Sequence, residues 1–131
     1  MSKSLNSHKL LLFDEHHDAP AALLAELEGS GFEVAPVRSF VEAVPQLKPH
    51  RCDVALVYLP EPDFVRNTFL AEVSQEAPEL PVVALAPVVT PALRQVLARF
   101  GVRALLPAQT CAAELVRALR EALAAPRVRG S

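Results

Sequence analysis

The sequence is poor in the residues from which chemical sites are commonly built. Among 131 residues there are two cysteines, Cys52 and Cys111, isolated from each other. They support no disulfide framework, and two reduced thiols without a special role are expected. The four glycines never gather into a Gly-rich loop behind an apolar run, which removes the usual phosphate cradle of nucleotide-binding proteins. No apolar stretch approaches the roughly 18 residues a membrane helix needs. The opening segment, Met1 to His8, is polar and lacks the apolar region of a signal peptide. No membrane contact and a cytoplasmic location are therefore expected. Internal repeats, low-complexity stretches and a Ser/His/Asp arrangement are absent, so enzymatic activity is not expected.

What the chain does have is a core. Hydrophobic residues make up 51% and charged residues 21%, the balance of one globular domain. The net charge of −2 is too small to suggest nucleic acid, yet it is unevenly spread. Residues 1–89 carry 6 lysines and arginines against 13 acidic residues, whereas residues 90–131 carry 7 arginines against 2 glutamates. A basic face in the last third suits a protein partner or self-association.

Five apolar runs alternate with five helical patterns. Lys9 to Phe13 is a short strand ending in Asp14-Glu15-His16-His17-Asp18. Asp18 is placed to cap a helix over Ala21 to Glu28, with Pro20 in its first turn and Gly29-Ser30-Gly31 stopping it. Phe32 to Val37 alternates, and Pro36 assigns it to a sheet edge. Ser39 to Glu42 is a capping-box pattern opening a short second helix. Val54 to Tyr58 is uniformly apolar, as a strand covered on both faces should be. Pro60 and Pro62 follow, then a third helix over Asp63 to Gln75. Val82 to Ala86 is a fourth strand. Thr90-Pro91 starts a helix running to Phe100 and ending at Gly101. Val102 to Leu106 is a fifth strand, and Thr110 is placed to cap a last helix whose stripe is Leu115, Val116, Leu119 and Leu123.

Strand and helix repeated five times, with crossover-length connections, specify an α/β flavodoxin-like fold. It is a doubly wound five-stranded parallel sheet of order 2-1-3-4-5 with helices on both faces. The domain is expected over 9–125, with an N-terminal tail over 1–8. Residues 126–131 read as a C-terminal tail or an expression remnant.

Over roughly residues 8 to 125 the chain resembles response-regulator receiver domains. Asp14-Glu15 matches the acidic pair that closes their first strand, and Asp53 to Tyr58 aligns with their third strand. Pro62 matches the proline of the following loop. Gly101 to Leu106, followed by Ala113 to Arg120, is similar to the last strand and helix of receivers attached to LuxR-type helix-turn-helix regulators. The resemblance fails where the family does its chemistry. Tyr58 stands at the phospho-accepting aspartate, Ala86 at the hydroxyl residue and Ala108 at the lysine, while Leu105 replaces the aromatic switch residue.

A receiver carboxylate attacks phospho-histidine with magnesium's help. A phenol, longer and with an ordinary pKa near 10, does not do so in that geometry. The resemblance thus implies a pseudo-receiver of a two-component system, outside the phosphorelay proper. It would be a non-catalytic regulatory module acting by protein–protein or ligand contacts, as the N-terminal part of a transcriptional regulator. Expected partners are a protein or output domain and a second copy in a homodimer, with nucleic acid met only through an output domain absent from this chain. The expected interaction face comprises Leu93, Leu97, Arg103, Arg117 and Arg120. No cofactor is expected, with weak magnesium binding by Asp14 and Glu15 as the alternative.

Two other functions compete: a phosphorylation-competent, magnesium-binding receiver, and a cofactor-binding flavodoxin-like domain. Asp14, His16 and Ala19 partly match a cobalamin motif, but its glycine is missing. Adjacent ligands such as His16 and His17 rarely converge on one ion, so a transition-metal site in that loop is not expected.

Overall fold

The structure, a computed structural model, describes residues 8–14, 20–47, 52–59 and 67–124. Its elements run β1 (His8–Phe13), α1 (Ala21–Gly29), β2 (Phe32–Val37), α2 (Phe40–Ala43, continued by a 3₁₀ turn over Val44–Leu47) and β3 (Val54–Tyr58). Then come α3 (Asn67–Glu76), β4 (Val82–Ala86), α4 (Pro91–Ala98), β5 (Val102–Pro107) and α5 (Ala112–Ala124). All pairings are parallel and the sheet order is β2-β1-β3-β4-β5, as the alternation of runs requires. The three inner strands are the three most apolar runs, because each is covered on both faces.

Side-chain alternation divides the core in two. Leu11, Phe13, Ala55, Val57, Ala84, Ala86 and Leu105 face α2, α3 and α4 through Ala43, Val73 and Leu97. Leu10, Leu12, Val54, Leu56, Val83 and Leu85 face α1 and α5 through Leu27, Leu115 and Leu119. Edge strand β2 holds Pro36, where a missing N–H is tolerated.

Local signals set most boundaries. Ser39 Oγ accepts from the Glu42 N–H at 3.3 Å, and the Glu42 carboxylate accepts from the Arg38 N–H at 2.8 Å. The capping box is thus made, one residue wider than its usual form. Thr90 Oγ1 accepts from the Leu93 N–H at 3.0 Å, with Pro91 at the first helical position. Gly31 (φ 98°) and Gly101 (φ 83°) occupy the left-handed conformation that turns the chain out of α1 and α4 into the next strand.

Four element ends shift by one residue from the sequence expectations (His8, Gly29, Glu76 and Pro107), and three helix boundaries differ in how they are made. Pro20 itself precedes α1, its carbonyl accepting from Leu23 and Leu24, while Asp18 lies outside the described residues. Helix α4 stops at Ala98, because Arg99 and Phe100 tighten into a turn on the carbonyls of Val96 and Leu97. Helix α5 begins at Ala112 rather than after Thr110. The Thr110 N–H closes a turn on Pro107, and Cys111 supplies the first helical carbonyl, to Leu115. The expected start of the third helix at Asp63, residues 1–7 of the N-terminal tail and the C-terminal tail fall outside the described residues, while His8, expected in the tail, opens β1. Among the described residues no helix is long and apolar enough to cross a membrane.

The cysteines differ in setting. Cys111 is exposed, whereas Cys52 is half-buried before β3. Burial, reinforced by the neighbouring Asp53 carboxylate, pushes the Cys52 thiol from its ordinary 9.0 up to about 11. At pH 8 a thiol reagent should label Cys111 rapidly, with Cys52 following only on unfolding or towards pH 11, as peptide mapping would show. The unfolded chain loses this proton at lower pH than the folded one. The stability held by a neutral Cys52 is therefore complete below pH 9.0 and is lost as pH climbs to about 11.

Candidate functional site

Parallel strands bring their carboxyl ends to one rim, and that rim is where an open α/β sheet presents its chemistry. The register pairs Phe13 with Val57, Tyr58 with Leu85 and Ala86 with Pro107. Asp14, directly after β1, therefore comes level with Tyr58 at the end of β3. The Asp14 N–H donates to the Val37 carbonyl at 3.0 Å, tying the ends of β1 and β2. The Leu59 N–H donates to the Leu85 carbonyl and the Ala108 N–H to the Ala86 carbonyl, both at 2.8 Å, tying the ends of β3, β4 and β5. Asp14, Tyr58, Ala86 and Ala108, distant in sequence, thus share one rim.

The groups on that rim differ in kind. Asp14 is 5% exposed and is the buried charged residue of the described core. Tyr58 is half-buried, and its ring packs against the α1/α5 half of the core. Ala86 is wholly buried and Ala108 partly so, and neither offers a hydroxyl or a charge. Leu105 is 4% exposed and belongs to the core below α4. Glu15, Pro60, Pro62 and the His16–His17 pair lie outside the described residues.

Magnesium prefers six oxygen ligands with carboxylates among them. The described rim contributes one carboxylate and one phenol, beside two alanines. Glu15, the other carboxylate expected at a magnesium site, lies outside the described residues, and among those described no group of three or more His, Cys, Asp or Glu side chains is placed to hold a metal.

The expected interaction face divides on inspection. Leu97 has no exposed surface and is core, a correction to its place on that face. Its position one turn after Leu93 puts both on the inward stripe of α4, Leu93 half-buried above it. Arg103 and Arg117 are exposed. Arg120 donates through its guanidinium to the Ser30 carbonyl at 2.8 Å, so it reaches back across α5 to the end of α1. An open groove of about 530 Å³ lies there, lined by His8, Gly29, Ser30, Gly31, Phe32 and Arg120, at the sheet end opposite to the rim.

One residue has a part that sequence reading marks only as a run boundary. The Asp53 carboxylate accepts from the Lys9 N–H and the Asp53 N–H donates to the Lys9 carbonyl, both at 2.8 Å. This bracket closes the β1–β3 ladder at its other end, in the register that leaves Asp14 level with Tyr58. A charge directly before a buried run is the available signal.

No family model and no curated protein matches the sequence. Solved structures do match in fold. The non-phosphorylated HemR receiver domain from Leptospira biflexa is 18% identical, with a TM-score of 0.76 over 94% of this chain and 99% of its own. The receiver domain of a sensor histidine kinase from Pseudomonas aeruginosa PAO1, solved with magnesium in its active site cleft, is 21% identical, with a TM-score of 0.74 over 91% and 99%. The signal receiver domain of a modulated diguanylate cyclase from Desulfovibrio desulfuricans G20 is 24% identical, with a TM-score of 0.69 over 89% and 94%. The chain has the CheY-like fold of response regulator receiver domains.

Proposed function

We propose that this chain is a pseudo-receiver, a regulatory domain built on the receiver fold that neither takes up nor transfers a phosphoryl group. The observation that carries this is the side chain at the end of β3. Acyl-phosphate formation needs a carboxylate oxygen to attack phosphorus while the donor's P–O or P–N bond breaks. Tyr58 offers a phenol in place of a carboxylate, half packed into the core. Ala108 brings no charge to offset that of the phosphoryl oxygens, and Ala86 brings no hydroxyl to sense them.

The domain then acts by contact, as a non-enzymatic cytoplasmic module. Its partner is an output domain or another signalling protein, and the diguanylate cyclase receiver among its structural neighbours is one example of a receiver named for an output of that kind. A LuxR-type transcriptional output fits the resemblance of β5 and α5. Tyr58, filling the place of the missing carboxylate, holds the domain in one state whatever the phosphodonor supply.

Intact-mass spectrometry of the native chain after incubation with a small-molecule phosphodonor and magnesium tests this. The expected spectrum contains the unmodified chain alone. A labile phosphoryl adduct, lost on substituting Tyr58 or Asp14, would overturn the reading.

A further inference from the structure

We propose that the groove at the sheet end opposite to the rim binds a small aromatic carboxylate, its anionic head on Arg120 and its ring along His8. Helix α1 has no basic residue in its last turn, yet the carbonyls at its end are met. The Ser30 N–H donates to the carbonyls of Glu26 and Leu27, and the Gly31 N–H to that of Glu28, at 3.0 to 3.2 Å. The His8 N–H donates to the Gly31 carbonyl at 2.9 Å, and Arg120 Nη2 to the Ser30 carbonyl at 2.8 Å. A helix C-terminus attracts a cation, and here Arg120 already supplies one.

What the groove wall holds in excess is donors. The guanidinium carries five N–H donors and uses one on Ser30. Among the described residues it makes no ion pair with a carboxylate, and none of the residues lining the groove is acidic. The turn also selects the class of anion. Phosphate is commonly held by several backbone N–H groups aimed at one point. Here the N–H groups of His8, Ser30 and Gly31 all turn onto carbonyls and form no such nest. A lone guanidinium instead suits a planar carboxylate of matching single charge. The rest of the wall suits a ring. The exposed His8 imidazole leans on buried Phe32, ring centroids 6.1 Å apart, and Gly29 and Gly31 bring no side chain to crowd it. The volume of about 530 Å³ lies within the range of about 300–1,000 Å³ usual for small-molecule sites. The groove is at the far end of the sheet from Tyr58 and does not depend on the phosphoryl chemistry there.

Benzoate titrated into the full chain, followed by the amide chemical shifts of Gly29, Ser30, Gly31 and Arg120, tests the site. Saturable shifts centred on these amides are expected in the millimolar range. Benzamide, the same ring without the charge, and inorganic phosphate should each give none. Arg120→Gln should weaken benzoate binding about tenfold, the scale of one hydrogen bond to a charged group. A Cβ at Gly29 meets no atom within 4 Å, so the fold accommodates Gly29→Leu, which should narrow the groove and weaken binding with Arg120 intact. The absence of saturable benzoate shifts would overturn the proposal. So would benzamide or phosphate binding as tightly as benzoate, or an unchanged benzoate affinity in either variant. Should Arg120→Gln fail to fold by far-ultraviolet circular dichroism, the comparison of benzoate with benzamide on the native chain decides.

Discussion

Tyr58→Asp alone should leave the chain a poor phosphoryl acceptor, and the triple change Tyr58→Asp, Ala86→Thr, Ala108→Lys should accept one at least ~100-fold faster. The single change supplies the carboxylate oxygen that attacks phosphorus. It leaves the charge developing on the phosphoryl oxygens facing Ala108. Loss of one fixed charge-stabilising group costs about 10²–10³ in rate where such groups act in a shielded site. The register places Ala86 and Ala108 side by side, joined by a 2.8 Å hydrogen bond, so both added groups would reach the same phosphoryl group. The rebuilt chain would lose some stability. Ala86 is wholly buried, and enlarging such a site costs about 1–3 kcal/mol. Intact mass after timed exposure to a phosphodonor gives both rates. Equal rates for the single and triple variants would show that Ala108 and Ala86 have no part in the defect.

Leu97→Ala should lower unfolding free energy by about 2–5 kcal/mol, the range for emptying a buried leucine site. Leu97 is fully buried under α4, in the core half that includes Ala84, Ala86 and Leu105. Against total stabilities of about 5–15 kcal/mol this is a large share. Leu93→Ala, on the same stripe but half-buried, should cost less. Urea unfolding with an unchanged slope measures both. A cost for Leu97→Ala below about 1 kcal/mol would return the residue to the surface.

The fold was legible because each determinant was local. Three uninterrupted apolar runs gave the inner strands, Pro36 gave an edge, and Ser39 and Thr90 gave two caps that the structure makes with their own hydroxyls. Thr110 misled, since a hydroxyl before an apolar-periodic segment signals a cap whether it closes a turn or opens a helix. Leu97 misled for a different reason, and the bond of Arg120 had no signal at all. Helical spacing says which residues share a stripe but not what covers it, and an arginine's reach to a carbonyl 90 positions away has no local trace.

At the rim, sequence placed Asp14, Tyr58, Ala86 and Ala108 together through a resemblance, and the parallel register brings them to one end of the sheet. Their shared place is a matter of topology. The side-chain packing is not, and the inward lean of Tyr58 onto the α1/α5 core was beyond reach of any pattern in the chain.

The most direct measurement is a titration of the native chain with beryllofluoride and magnesium, followed by amide chemical shifts of Asp14, Ala86 and Ala108. Beryllofluoride mimics a phosphoryl group where an anionic oxygen completes its coordination, and at this strand end a carboxylate would be that donor. The expected result is no saturable shift at these three amides. A saturable, magnesium-dependent shift at Ala86 and Ala108 would contradict the account.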